Sequence, residues 1–359
     1  MSNFFLKFFP PPKYLQMPAI GFDISDRSIK YVELCKKHGT IFVKRFGEHL
    51  LPEGIIEGGE IKQKEKLTDF LKTIKKEEKS DYLIVALPEE KAFLARTKLP
   101  LMGKGEIRGA LELQLEEHIP LSADEVIFDF NIIKENTEKK YFDINLIAFP
   151  KLFVGGYRDI FINSGFTPLV FEMEVQAAAR VIVPKNERQT VIMIDFGRTR
   201  TTLTIISDNK PRFTSTIKVA GEDLQKALMK NLQIDQFQAE KIKKEHGLVK
   251  SKENEKIFNS LLPIVSVIKD EIWKCINYWD SHLEENDYSK SVSKILLYGG
   301  DSTLIGLPEY LSSELRLPVE LGNPWVNILS FEEHIPEIEL RESLIYTTAL
   351  GLALRAIDY

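Results

Sequence analysis

Apolar positions along the chain follow two periods, and the switches between them mark out its elements. Ile20 to Asp23 is a short apolar run that enters the polar turn Ser25, Asp26 and Arg27, and Ile29 to Leu34 leaves that turn with alternating character, which predicts a β-hairpin. Pro52 through Gly59 reads as a loop. From Ile61 to Lys79 the apolar residues Leu67, Phe70, Leu71 and Ile74 fall at helical spacing among lysines, so those lysines form a solvated helix face. Asp81 to Leu87 is a buried strand.

Farther along, Ile107, Leu111, Leu115 and Ile119 recur every four residues, predicting one helix stopped by Pro120. Two strand candidates, Val126 to Ile133 and Tyr141 to Ala148, flank a turn at Asn136 to Lys140. Val191 to Asp195 repeats the pattern of the first strand, and a second hairpin follows from Gly197 to Ile206. This is an internal echo: an aspartate, Asp23 or Asp195, ends an apolar strand just before a polar turn in each half of the chain. Helices are expected over Leu224 to Leu232, over Ala239 to Glu245, and along the stripe Leu261, Val265, Ile268, Ile272 and Ile276, with the charged stretch Asp280 to Lys290 ending the last. Lys294 to Tyr298 is a strand running into Gly299 and Gly300; helices at Leu307 to Leu315 and Ser343 to Ala356 complete the pattern.

Composition narrows the function. At 359 residues the chain has room for two or three domains. Its 48 basic and 53 acidic residues leave a formal charge of −5, which disfavours general nucleic-acid binding. Cys35 and Cys275 are far apart and form no redox or metal-ligand spacing, as expected in a reducing compartment. With no run of about 18 apolar residues, a cytoplasmic protein is expected. The first residues are unusual: Phe4, Phe5, Leu6, Phe8 and Phe9 precede Pro10, Pro11 and Pro12, an arm expected to pack on a protein surface. There is no P-loop, zincin motif, nucleophile elbow or dinucleotide fingerprint, and the six histidines are scattered.

What remains is a phosphate-holding design. Hairpin tips can turn successive N–H groups toward an anion, and strand-end aspartates can hold Mg²⁺ through its water shell. The ordered set is Gly21 to Lys30, Glu174 to Arg180, Asp195 to Thr202, Leu296 to Gly300 and Ala349 to Arg355. It resembles the five-part signature of the actin-like ATPase superfamily. Ile29 to Glu33, His118 to Pro120, Val219 to Leu224 and Ala239 to Lys243 make the chain similar, within that superfamily, to the PilM family of type IV pilus assembly.

The resemblance implies an α/β, two-lobed actin-like (ribonuclease H-like) fold with an inserted small α+β subdomain, placed as in the cell-division relative FtsA. It divides the chain into an arm (1–17), a first lobe (18–87 and 166–188), the insert (88–165), a second lobe (189–225 and 291–359) and its helical subdomain (226–290). It implies ATP and Mg²⁺ as cofactors, with Asp23 and Asp195 beside the metal and Glu174 on the γ-phosphate side, at most a slow ATPase. The nucleotide-binding set it implies is Asp23, Ser25, Asp26, Arg27, Ser28, Lys30, Asp195, Gly197, Arg198, Thr199, Gly221, Glu240, Lys243, Gly299, Gly300 and Asp301. It also implies a partner, the N-terminal cytoplasmic peptide of a PilN-like inner-membrane protein, in a groove whose rim is expected at Leu111, Leu115, Ile119 and Pro120. The protein would then sit at the membrane's inner face through its partners, with the pilus motor ATPase a further candidate and self-association open. Two positions depart from the family pattern: Ser25 stands where glycine is usual, and Asp301 where a small residue is usual. These point toward one alternative, a nucleotide-free adaptor; an FtsA-like filament former is the other alternative left open.

Overall fold

The computed structural model describes residues 18–37, 39–78, 80–283, 291–329 and 334–358. The arm expected over residues 1–17 and part of the charged stretch expected to end the long helix lie outside them. The first hairpin is β1 (Ala19–Ile24) and β2 (Ser28–Lys37), paired antiparallel with Asp23 opposite Lys30, and β3 (Thr40–Leu50) extends it. The loop expected through Gly59 contains a small strand pair, β4 (Ile56–Glu57) and β5 (Glu60–Ile61), ahead of helix Lys64–Glu77. β6 (Tyr82–Leu87) lies parallel to β1. Next come the three strands of the insert, β7 (Phe93–Pro100), β8 (Val126–Asn136) and β9 (Tyr141–Pro150), with β9 central. Helix Lys151–Asn163 leads back to β10 (Thr167–Met173), which joins β6 in parallel.

The second half repeats the first. β11 (Thr190–Phe196) pairs antiparallel with β12 (Thr201–Ser207), which pairs with β13 (Lys210–Ile217), while β14 (Val292–Tyr298) and β15 (Val319–Leu321) add in parallel on the other side. The orders β10-β6-β1-β2-β3 and β15-β14-β11-β12-β13 share one topology and one mix of parallel and antiparallel pairs. The sequence echo between Asp23 and Asp195 is therefore a structural repeat: Asp23 faces Lys30 and Asp195 faces Thr202 at matching places in the two sheets.

Strand alternation sorts the packing, because successive side chains point to opposite faces. On the first sheet Ile20, Phe22, Leu83 and Val85 face helices Lys64–Glu77 and Lys151–Asn163, while Ile84 and Ala86 face Ala177 and Leu352 of the two helices that link the lobes, Glu174–Ile182 and Thr347–Asp358. On the second sheet Val191 and Met193 share a core with Ala178 and Val181, whereas Ile192 and Ile194 pack with helices Gly221–Leu232, Glu255–Ser281 and Leu307–Leu315. The linking helices thus lie between the sheets. They touch at Gly351, where an added Cβ would come within 1.8 Å of the Ala177 carbonyl oxygen.

Three elements differ from the sequence reading. The helix expected through Ile119 breaks at Gln114, giving Ile107–Leu113 and Leu115–His118 joined by short-range i→i+3 bonds from Gln114 to Leu111 and from Glu117 to Gln114. Leu113 is exposed while Ile107, Leu111, Leu115 and Ile119 stay buried. The last helix arrives in three pieces, Leu340–Ser343, a 3₁₀ turn Leu344–Tyr346, and Thr347–Asp358. Finally, within the segment expected as the insert, one core is drawn from Leu99 to Ala148, while helix Lys151–Asn163 contributes Tyr157, Ile160 and Phe161 to the first-lobe core.

Candidate functional site

The functional side chains sit at the carboxyl ends of parallel strands, where sheets of this kind leave a crevice for ligands. Asp23 ends β1, Glu174 follows β10, Asp195 comes near the end of β11, and Gly299 follows β14. All four border one cleft of about 570 Å³ between the lobes. Of the other residues singled out from the sequence, Ser25, Arg27, Ser28, Lys30, Gly197, Arg198, Thr199, Glu240, Lys243, Gly300 and Asp301 line it too.

Asp26 and Gly221 do not line the cleft. Asp26 is turned away, its carboxylate accepting from the N–H groups of Gly58 and Gly59 at 2.9 and 3.0 Å. Gly221 packs under Asp301, where any Cβ would lie 1.7 Å from Asp301 Oδ2, so its contribution is to make room for that side chain.

The two departures from the family pattern have local explanations. Ser25 does not have positive φ, so the turn needs no glycine there. Its N–H and hydroxyl donate to the Ser28 carbonyl at 2.9 and 3.0 Å, and Ser28 N–H donates back to the hydroxyl at 3.3 Å, which closes the hairpin. Asp301 is neutralised by Lys243, whose Nζ donates to Oδ1 at 2.5 Å and lies 2.9 Å from Glu240. Burial opposes the Lys243 charge, yet Asp301 and Glu240 outweigh it and raise its pKa. Gly299, by contrast, does need to be glycine: its φ is +89°, and a Cβ would lie 2.2 Å from Asp195 Oδ1.

The acidic centre of the cleft is the most perturbed part of the molecule. Burial pushes Asp23 up to about 6, Lys30 opposing it and Glu174 adding to it. Burial, reinforced by Glu174, pushes Asp195 up to about 7. Glu89, whose carboxylate accepts from the Val175 N–H at the start of the helix that follows Glu174, is held well above the ordinary carboxylate range by burial and by Glu174.

Arg200, which the sequence reading passed over, threads this cluster. Its Nη2 donates to Glu174 Oε1 and Oε2 at 2.9 and 3.0 Å, and its Nη1 lies 3.1 Å from Glu90 and 3.8 Å from Asp26. A residue of the second lobe therefore ties together three carboxylates of the first. Arg27 and Glu222 make a second bridge between lobes, with Nε donating at 2.7 Å. Sequence patterns give no signal for Arg200, because an arginine three residues past a turn glycine reads as solvated until the tertiary fold shows its neighbours.

The fold family implies Mg²⁺ beside these carboxylates. Asp23 and Asp195, the two residues expected to hold it through its water shell, both border the cleft. Arg200 sets a permanent positive charge against Glu174, only 12% of its side chain exposed, and among the described residues no three His, Cys, Asp or Glu side chains are arranged to hold a metal ion.

A second concavity, of about 700 Å³, lies between the insert and the first lobe. The predicted rim residues are not in it. Leu111, Leu115 and Ile119 are fully buried under the opposite face of the inserted sheet, packed on Ile144 and Leu146, and Pro120 lies on the exposed turn beyond them. Alternation along β9 explains the exchange: Asn145, Ile147 and Phe149 point the other way and form the groove wall, opposite Val170 and Phe171 of β10. β8 and β10 are both edge strands, so two free backbone edges border the groove. Arg180 and Arg355 line it and pair with the buried Glu172, Arg355 at 3.0 Å. No helix among the described residues is long and apolar enough to cross a membrane.

Known proteins reproduce this architecture. A structure described as a PilM–PilN type IV pilus biogenesis complex superposes with a TM-score of 0.78 at 22% identity, covering 96% of this chain and all of that one. MreB5 of Spiroplasma citri bound to AMPPNP aligns at TM-score 0.56 and 16% identity over 96% of each chain. The ethanolamine utilization protein EutJ of Carboxydothermus hydrogenoformans aligns at 0.54 and 14% identity over 94% of this chain and 89% of that chain. These establish an actin-like fold. The family described as type IV pilus assembly protein PilM matches residues 21–357, nearly the whole described chain, and the protein belongs to that family.

Proposed function

We propose that the protein is an adaptor of the type IV pilus machine, sited at the inner face of the cytoplasmic membrane, whose groove between insert and first lobe holds the short N-terminal peptide of a PilN-like membrane protein. The observation that carries this reading is the groove itself: an apolar wall from Ile147, Phe149, Val170 and Phe171, bordered by the edge strands β8 and β10. An extended peptide can add to such an edge through main-chain hydrogen bonds while its side chains enter the pocket. The relative solved with PilN supports the same class of partner.

The interlobe cleft would take a nucleoside triphosphate, as the MreB5 relative takes AMPPNP. Its part is conformational: a ligand that prefers closed lobes shifts their equilibrium and so changes peptide affinity at the groove by the same coupling. Turnover is slow at best, because Glu174 is held by two hydrogen bonds from Arg200.

Fluorescence anisotropy with a labelled N-terminal cytoplasmic peptide of a PilN-like membrane protein tests the reading. Saturable binding that Gln176→Arg, on the groove wall, weakens at least about tenfold supports it, a loss of about 1.4 kcal/mol. Binding unaffected by that change, or none at all, rejects it. Glu116→Ala, on the exposed face of the insert, is the control.

A further inference from the structure

We infer that the second lobe supplies a third wall of the peptide groove, the tip of the β12–β13 hairpin, and that Lys210 there fastens the bound peptide to the insert. This rests on the reading that a peptide fills the groove, and goes beyond it by assigning residues of the other lobe to that site.

The cavity is not lined by the insert and the first lobe alone: Asn209, Lys210 and Pro211 border it as well. Their hairpin turns in two residues, Asp208 and Asn209, with φ of +53° and +58°, and Ser207 pairs with Lys210 across it. Positive φ at both central residues gives the tight turn that matches the twist of the flanking strands. Side chains then hold the tip in position. Arg212 donates from Nε to the Ser207 carbonyl at 3.1 Å and from Nη2 to Asp208 at 2.9 Å. Asn209 Nδ2 donates to the Lys185 carbonyl, at the end of the first lobe, at 2.7 Å.

The tip is also tied to the insert, by bonds that run in both directions. Lys210 Nζ donates to the Ile132 carbonyl of β8 at 2.7 Å. In return Asn145 Nδ2 of β9 donates to the Pro211 carbonyl at 3.1 Å, and Asn145 is only 3% exposed. A buried amide that loses its partner costs free energy, so this bond keeps the groove wall against the hairpin. Insert, first lobe and second lobe therefore meet at one cavity.

Lys210 is the residue of the hairpin placed to act on a ligand. An ammonium has three donors, and one of them goes to Ile132. Burial, with the charge of Arg212 beside it, lowers the Lys210 pKa against the pull of Asp208. An oxygen acceptor of the peptide, carbonyl or carboxylate, takes a charge-assisted hydrogen bond there and offsets that lost hydration. The hairpin reaches the peptide through side chains, whereas β8 and β10 offer backbone. A peptide so held touches both lobes and the insert at once. A change in lobe arrangement therefore reaches it directly, and by reciprocity the peptide resists that change.

Two measurements on the full chain test this, both with an N-terminal cytoplasmic peptide of a PilN-like membrane protein. In anisotropy titrations Lys210→Met should weaken binding by about fivefold or more, as expected for losing one hydrogen bond, while Lys210→Arg, which keeps a charged donor, stays within about twofold of the wild type. Lys210→Met binding as tightly as the wild type overturns the inference, and so does a loss that Lys210→Arg shares in full. The second measurement needs no variant: photo-cross-linking with a benzophenone carried at each peptide position in turn should give adducts at Asn209, Lys210 or Pro211 as well as on β8 or β10. Adducts on the insert and first lobe alone overturn the inference and leave the groove reading standing. Adducts on neither edge strand, or no saturable binding, overturn the groove reading and this inference together.

Discussion

The contact between the two linking helices permits a sharp test of how the lobes are joined. Replacing Gly351 by alanine puts a Cβ 1.8 Å from the Ala177 carbonyl oxygen and 2.4 Å from its carbon. Real Cβ atoms do not approach heavy atoms closer than 3.0 Å, so helices Glu174–Ile182 and Thr347–Asp358 must separate by more than 1 Å. Both are embedded in cores on either side, with Ala177, Ala178, Ala349 and Leu350 fully buried, so that shift disturbs close-packed contacts along the whole crossing. Overpacking of this kind costs about 3 kcal/mol. Alanine's better helix propensity returns about 1 kcal/mol. With roughly 0.75 kcal/mol/K of unfolding entropy for a chain of 359 residues, the net loss of about 2 kcal/mol corresponds to a fall in Tm of about 2–3 °C. Gly155→Ala is the matched control, since it too is helical but its Cβ meets nothing within 4 Å; it should raise Tm by about 1–2 °C. Differential scanning calorimetry of the two variants reads both shifts. A Gly351→Ala protein melting at or above the wild-type temperature refutes the close crossing.

Three further outcomes follow from the cleft. Asp195 is raised from 3.8 to about 7 by burial, so the native state binds this proton more tightly than the unfolded chain, and the associated stability is present at low pH and fades as pH rises from about 4 to about 7. Asp195→Asn, which does not titrate, should therefore gain on the wild type between pH 5 and pH 8 by about 2–3 kcal/mol in urea denaturation, and a gap that is flat or shrinks over that range contradicts the burial. Lys243→Met strips Asp301 of its counter-charge and should cost about 3–5 kcal/mol, most of it recovered in the Lys243→Met, Asp301→Ala double variant; an additive double variant would show that the pair is not coupled. A coupled-enzyme assay of the wild type should find ATP hydrolysis no faster than the buffer blank within its detection limit, since Glu174 is engaged by Arg200, and robust turnover contradicts that arrangement.

What the sequence disclosed and what it hid divide along physical lines. The hairpins carrying Asp23 and Asp195 were legible because a strand-end aspartate before a polar turn is a local pattern, and the repeat of that pattern foretold the matched topology of the two sheets. Arg200, Glu89 and Glu90 left no such trace, because what makes them unusual is a burial and a charge partnership formed between segments far apart in the chain. The groove was misplaced for a related reason: the helical stripe Leu111, Leu115 and Ile119 announces an apolar face but not which side of a sheet it covers, and that side proved to be the insert's interior. Helix Lys151–Asn163 was not foreseen at all, its Gly155 and Gly156 weakening the helical signal that packing against helix Lys64–Glu77 overrides.

Hydrogen exchange of the full chain, with and without the N-terminal cytoplasmic peptide of a PilN-like membrane protein, addresses the proposed role at its root. The account predicts slowed exchange confined to the amides of β8, β10 and the start of helix Glu174–Ile182. Slowed exchange elsewhere with none at the two edge strands would contradict it.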